Sequence, residues 1–252
     1  MKELRTYVPY IVKNTIIDLR YNIRQYIGWL LINFALILLS YFIVNLISPS
    51  EPDKTRLFFQ LSGYLLFFWM AGVLYYSSLL FSRRGFILDI TNLPLYVLVN
   101  VHIVSFLLQF AAAFTFLVIV MLTDRIELNM SLIGIAYFIA LTYLLLIPSG
   151  ILLSLLEYFS QHMRRNVIIL LTVIMLSVSI LWVPVQLPAL VVKILSLNPF
   201  YFLVNGFQTA VVEGVSVFYK VPLHLLFLCE LIFVYIWTFY LYRKLKDEIT
   251  GK

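Results

Sequence analysis

A run of apolar side chains from Val221 to Tyr242 is interrupted among acids and bases only by His224 and Glu230. A charge near the middle of a membrane-spanning helix costs about 2.5–3.5 kcal/mol on insertion scales. Glu230 must therefore be neutral, paired, or turned toward a hydrated interior. There it could carry a proton or touch a passing substrate; equally it could be a hydrogen-bonded packing residue. His224 lies roughly one and a half helical turns earlier and so off the Glu230 face. His102 lies near one end of the run Leu95–Leu122. Neither histidine has a second ligand at metal spacing, so no metal site is expected. No Ser-His-Asp, paired-carboxylate or Cys-His set is visible, and no catalytic site is expected in this chain.

Basic and aromatic groups are the other candidates. Arg20, Arg24, Arg83, Arg84, Arg164 and Arg165 fall in the polar segments between apolar runs. Guanidinium forks match the oxygens of a phosphate, but the same residues also serve simply to set membrane orientation. Aromatics make up 17% of the chain, and Tyr64, Phe67, Phe68, Trp69, Tyr75 and Tyr76 crowd one run. Their faces could let sugars slide past, or anchor helices at the lipid interface.

The elements that would position these groups are hydrophobic helices. Of 252 residues, 63% are hydrophobic and 12% charged, against about 25% charged in soluble domains. About 20 apolar residues in a helix cross a bilayer. The runs Tyr26–Ile47, Leu57–Phe81, Leu95–Leu122, Leu132–Leu156, Val167–Val183 and Val221–Tyr242 predict six spans in an all-α polytopic membrane protein. They are too long and too uniform for a barrel. With the N-terminus inside, every Lys and Arg except Lys54, Arg56, Arg125, Lys193 and Lys220 falls on the cytoplasmic side, as expected for inside loops. Both termini are then cytoplasmic. The net charge of +6 is accounted for by topology and anionic lipid, without nucleic acid. The single cysteine, Cys229, can make no disulfide within the chain. No cleavable signal is expected.

Residues 1–25 read as a helix lying in the interface plane. Leu4, Val8, Ile11, Leu19 and Ile23 share one side, Lys2, Lys13, Arg20 and Arg24 the other, and Pro9 is expected in the first turn. Such a helix could be a plain anchor, a docking surface or a cationic lip. Residues 187–212 are apolar but broken at Asn198-Pro199 into pieces too short to span. Asn198 suits a helix cap and Pro199 a helix start. The pattern fits a re-entrant hairpin before the last span, or two helices resting on the outer surface. The expected organisation is one permease domain: interface helix 1–25, spans one to five over 26–183, hairpin 187–212, last span 221–242 and tail 243–252.

Four segments carry a resemblance. "NPFYFLVNGFQTAVVEG" from Asn198 resembles the C-terminal signature of type 2 ABC-exporter permeases, more narrowly those exporting wall teichoic acid, O-antigen and capsule polymers. It has Asn198, Pro199 and Tyr201, with Gln208 where that signature has Arg. "YIGWLLIN" at Tyr26–Asn33 resembles the family's entry to the first span, with Phe34 in place of the usual proline. "NLPLYVLVNV" at Asn92–Val101 resembles the turn into the third span, and "SILWVP" at Ser179–Pro184 the end of the fifth, with Val178 and Ser179 in place of Ser-Pro.

The resemblance implies a homodimer in the bacterial cytoplasmic membrane, bound to two copies of a cytoplasmic ABC ATPase. ATP and Mg would sit on that partner, because this chain has no G-x-x-x-x-G-K-[ST] phosphate loop. The implied activity is flipping a polyprenyl-pyrophosphate-linked anionic polymer, or exporting a drug or lipid. Residues 82–94 would seat in the ATPase through Arg83, Arg84, Phe86, Ile87, Leu88, Asp89 and Ile90. Arg20, Arg24, Arg164 and Arg165 would meet the lipid headgroup, and Tyr64, Phe68, Trp69, Tyr76 and Glu230 would line the path. A proton-coupled secondary transporter using Glu230 is the reading from a different class.

Overall fold

The computed structural model of the chain describes residues 2–48, 50–83, 94–124, 129–160, 162–184, 187–214 and 220–249, with side chains from residue 7 onward except at 189 and 246–249. Nine α-helices run through the described residues: α1 Lys2–Tyr21, α2 Ile23–Ile47, α3 Glu51–Ser77, α4 Leu95–Thr123, α5 Leu132–Phe159, α6 Met163–Ser177, α7 Ala189–Leu195, α8 Pro199–Val212 and α9 Val221–Ile249. Five of them, α2, α3, α4, α5 and α9, are long and apolar enough to cross a membrane. The chain is a polytopic helical membrane protein.

The bundle is built around α3. In its most apolar stretch 67% of the residues are buried, against 11% in α2 and 17% in α9. It packs chiefly on α4 and α8, while α5 joins α8 to α9. Its start is set by local chemistry. Ser50 caps the helix by accepting the Asp53 N–H, and Pro52 occupies the first turn, where no N–H is needed. That cap starts the helix at Glu51, six residues before the apolar run begins at Leu57.

At the outer end, as oriented from the sequence, three helices are clamped by one carboxylate. Asp124 pairs with Lys54 at 2.8 Å and accepts the Tyr41 hydroxyl at 2.9 Å. This ties α2, α3 and the end of α4 together where the apolar lengths run out.

Two expectations about helices are corrected. The run Val167–Val183 is not one helix: α6 spans Met163–Ser177 and the chain turns out of it at Val178. Fifteen residues rise only about 22 Å, short of the ~30 Å hydrocarbon core. Residues 178–180 are buried, and the backbone of Ser179 is engaged by a side chain from α8 rather than by a helical ladder.

The first helix also differs. Pro9 is inside α1 rather than in its first turn, at an exposed position where water can satisfy the carbonyl left without its donor. The helix is docked by polar rather than apolar residues. Thr15 and Asp18 are its buried side chains, while Val8, Val12 and Ile16 are about half exposed. Polar partners on neighbouring helices for Asp18 hold this face of α1 to the bundle.

Candidate functional site

Asp18 leaves α1 to enter the junction of α1, α2, α3 and α4. Its Oδ2 accepts the Tyr26 hydroxyl at 2.6 Å and the Ser105 hydroxyl at 3.4 Å, and its Oδ1 accepts the Asn22 side-chain N–H at 3.1 Å. A buried carboxylate needs such donors to offset its desolvation. Tyr76 completes the junction from α3. Its hydroxyl accepts from Gln25, its ring lies 5.9 Å from the His102 ring, and the Arg83 guanidinium sits 4.9 Å from the Tyr76 ring centroid. A cavity of about 160 Å³ remains between Asp18, Asn22, Tyr76, Leu79, Leu80, Arg83 and His102. Arg83 and Asp18 face the same space, so the cavity suits a polar group of mixed charge or none better than a bare anion.

The second candidate region surrounds α8. Asn198 caps this helix by accepting the Phe200 N–H at 3.0 Å, with Pro199 at the first position. The Asn198 amide also donates to the Ser177 hydroxyl at 2.8 Å, joining the end of α6 to the start of α8. Tyr201 is buried and stacks on Trp182 with centroids 5.8 Å apart. About two turns further on, Gln208 is fully enclosed. Its Nε2 donates to the Phe59 carbonyl at 3.0 Å and the Ser179 carbonyl at 2.8 Å, and its Oε1 accepts the Ser179 hydroxyl at 2.6 Å.

Glycines make this approach possible. A Cβ on Gly63 would lie 2.2 Å from Gln208 Nε2, and one on Gly206 would lie 2.0 Å from the Phe138 ring. Gln208 is a saturated bracket between α3, α8 and the chain leaving α6. Both of its amide hydrogens are spent on backbone carbonyls.

The other expected site residues are dispersed. Arg20 lies on the outward face of α1, in a shallow depression with Val8, Pro9, Val12, Lys13, Ile16 and Ile17. Arg24 is exposed near the start of α2, and Arg164 and Arg165 are exposed at the start of α6. The described residues form no common pocket from these four. Of the expected ATPase contacts, Arg83 is described; Arg84, Phe86, Ile87, Leu88, Asp89 and Ile90 lie outside the described residues.

The aromatic path is corrected at Trp69. That residue is fully buried, donates its indole N–H to the Ile103 carbonyl at 3.2 Å and stacks on Phe110 at 5.5 Å. It is core, because α3 is the central helix and its mid-length face is closed by α4. Tyr64 and Phe68 are half-buried neighbours, 6.2 Å apart, and Phe68 meets Trp29 of α2 at 5.6 Å.

Glu230 is half-buried on α9 and makes no hydrogen bond with the described residues. A ladder of exposed rings continues toward the end of that helix: Phe233–Trp237 at 6.2 Å and Trp237–Tyr240 at 6.4 Å.

Three participants were not legible as site residues. Asp18 is a lone acid in a basic arm, Ser179 lies inside the run Val167–Val183, and Glu157 follows the run Leu132–Leu156, so none stands in a recognisable motif. The one available signal was an acid at an apolar boundary with nothing opposite in charge beside it in sequence. Comparison with known proteins finds no family model and no curated protein that matches this chain.

Proposed function

We propose that this chain is the transmembrane subunit of an ATP-driven exporter, a homodimer carrying one cytoplasmic ATPase per subunit. Its cargo is a polymer on a polyprenyl-pyrophosphate lipid, of the wall teichoic acid or related polysaccharide class, moved from the inner to the outer leaflet of a bacterial cytoplasmic membrane. Both termini are cytoplasmic. Residues 26–183 supply five spans, the fifth made of α6 and the irregular chain after it. Then α7 and α8 form a re-entrant hairpin, and α9 is the sixth span. Hydrolysis belongs to the partner, and the chain contributes the conduit and the surface on which the ATPase acts.

The observation that supports the reading best is α8. A short helix capped by Asn198, opened by Pro199 and enclosed just before the last long helix is what the resembling signature leads one to expect. Irregular backbone is tolerated at membrane depth only where protein or a watery cavity satisfies it; Gln208 donates to the Ser179 carbonyl before α7, and Asn198 accepts the Phe200 N–H after it.

Reconstituting the chain with the ATPase encoded beside it tests the proposal. Lipid-linked glycans are expected to stimulate ATP hydrolysis, teichoic acid precursors among them. Transport that continues without ATP and collapses with the proton gradient would replace this reading. The replacement would be a proton-coupled carrier, favoured by the unbonded Glu230 on α9.

A further inference from the structure

We propose that Glu157 is a positioning residue that couples the chain's ATPase-facing entry to α5 and α9; the inference rests on the exporter reading above. Residues 80–83 begin a new helical turn after α3 ends. The first N–H groups of any helix lack partners within it. Here the Glu157 carboxylate supplies them from 75 residues away, Oε2 accepting the Phe81 N–H at 2.7 Å and Oε1 the Ser82 N–H at 3.0 Å. Both oxygens are used, and a carboxylate at a helix start is also favoured by the backbone dipoles. The neighbouring rings of Phe81 and Tyr158 pack edge to face at 6.2 Å.

The contact ends a continuous seam. One turn back along α5, the Ser154 hydroxyl lies 2.7 Å from the Ser77 carbonyl. A further turn back is Gly150, where a Cβ would lie 2.7 Å from Val99 and 3.0 Å from the Ser77 hydroxyl. Positions 150, 154 and 157 follow the helical repeat of one face, so α5 is held to the end of α3 over two turns. The seam stops at Pro148, which has no N–H to give the Leu144 carbonyl. The Tyr235 hydroxyl of α9 donates to that carbonyl at 3.1 Å, and Thr238 donates to the Pro148 carbonyl at 3.1 Å. A push received at Ser82 and Arg83 thus has a rigid route along α5 to its proline break, and from there to α9.

Hydrogen exchange on the full chain with its ATPase in lipid nanodiscs tests this. Glu157→Ala should raise exchange at Phe81 and Ser82 by about tenfold or more. Glu157→Gln, isosteric and with one acceptor oxygen, should fall between. In the wild-type complex, trapping the ATPase with ATP and vanadate should alter exchange in residues 79–83 and in residues 144–159. In Glu157→Ala the first response should persist and the second disappear, with partial return in Glu157→Gln. An undiminished response of residues 144–159 in Glu157→Ala overturns the positioning role. A wild-type chain whose residues 79–83 ignore nucleotide overturns the exporter reading, and the coupling role falls with it. The wild-type arm separates the two failures.

Discussion

Gln208 and Glu230 are both polar residues in apolar helices, and the protein treats them in opposite ways. Gln208 is sealed among α3, α6 and α8 with three hydrogen bonds on two atoms. Glu230 is half-buried with no bond to the described residues, on a helix whose apolar stretch is only 17% buried. The first arrangement holds a fold together. The second makes sense for a side chain whose partner arrives from outside the protomer: water, cargo or a second copy. The permeases this sequence resembles carry a cation at the position of Gln208, yet in this chain that position is part of the frame.

The comparison breaks most sharply at the glycines that let α8 in. Gly206→Leu would drive a side chain into the Phe138 ring, which is fully buried and has nowhere to go. Overpacking typically costs about 1–3 kcal/mol and more where rigid rings oppose it. The expected result is loss of the monodisperse peak in detergent and a large drop in thermal stability. Wild-type behaviour would mean that α8 is not seated as described.

Gln208→Leu comes next. It leaves the Ser179 hydroxyl and two buried carbonyls without their partner, for a loss of about 2 kcal/mol, with a softened joint after α6. Thermal unfolding followed by fluorescence would measure the loss. Gln208→Arg should be at least as damaging, because Gly63 leaves no room beyond Nε2. A tolerated arginine would return this position to the cargo path.

Smaller effects separate the two ends of α9 and α3. Lys54→Met breaks the ion pair but leaves Asp124 with Tyr41. The variant should be slightly less stable than wild type, and the gap should narrow in high salt, which screens the pair. Tyr235→Phe removes the donor to the Leu144 carbonyl. Interhelical bonds in membranes average about 0.6 kcal/mol, so stability should barely move while exchange near Pro148 rises.

The fold was legible wherever the bilayer itself writes the rule. Long uncharged stretches had to be helices, and α2, α4 and α5 lie close to the runs that announced them. Asn198-Pro199 was legible because capping is local chemistry among adjacent residues. The end of α6 was not: Val178 to Val183 is apolar, and hydropathy cannot see that Gln208, 29 residues on, claims the backbone of Ser179. The docked face of α1 was hidden for the same reason, since the Ser105 partner of Asp18 is 87 residues away. Aromatic crowding in α3 gave the composition of a path but not its direction, and Trp69 turned inward. Long-range hydrogen bonds decided each miss, and they leave no period in the sequence.

Glu230→Gln should have the smallest effect on the fold and the most informative sign. Within the protomer no described group loses a bond when the carboxyl becomes an amide. Removing the possibility of charge in an apolar surrounding relieves a penalty of about 2.5–3.5 kcal/mol at most, and less for a side chain that is only half enclosed. The variant is therefore expected to melt at the same temperature as wild type or slightly above it. A clear fall would show that the carboxylate has a partner in the assembled protein, and Glu230→Cys in a Cys229→Ser background would say which, since the native thiol at 229 points about 100° away around the helix. Crosslinking between copies at the thiol of Glu230→Cys would put that face of α9 at a subunit contact. Ready modification by a charged, membrane-impermeant thiol reagent would put it in water, and resistance to both would leave it facing lipid. In the last case a carboxyl at 230 has to stay protonated, and it belongs to neither a cargo path nor a proton relay.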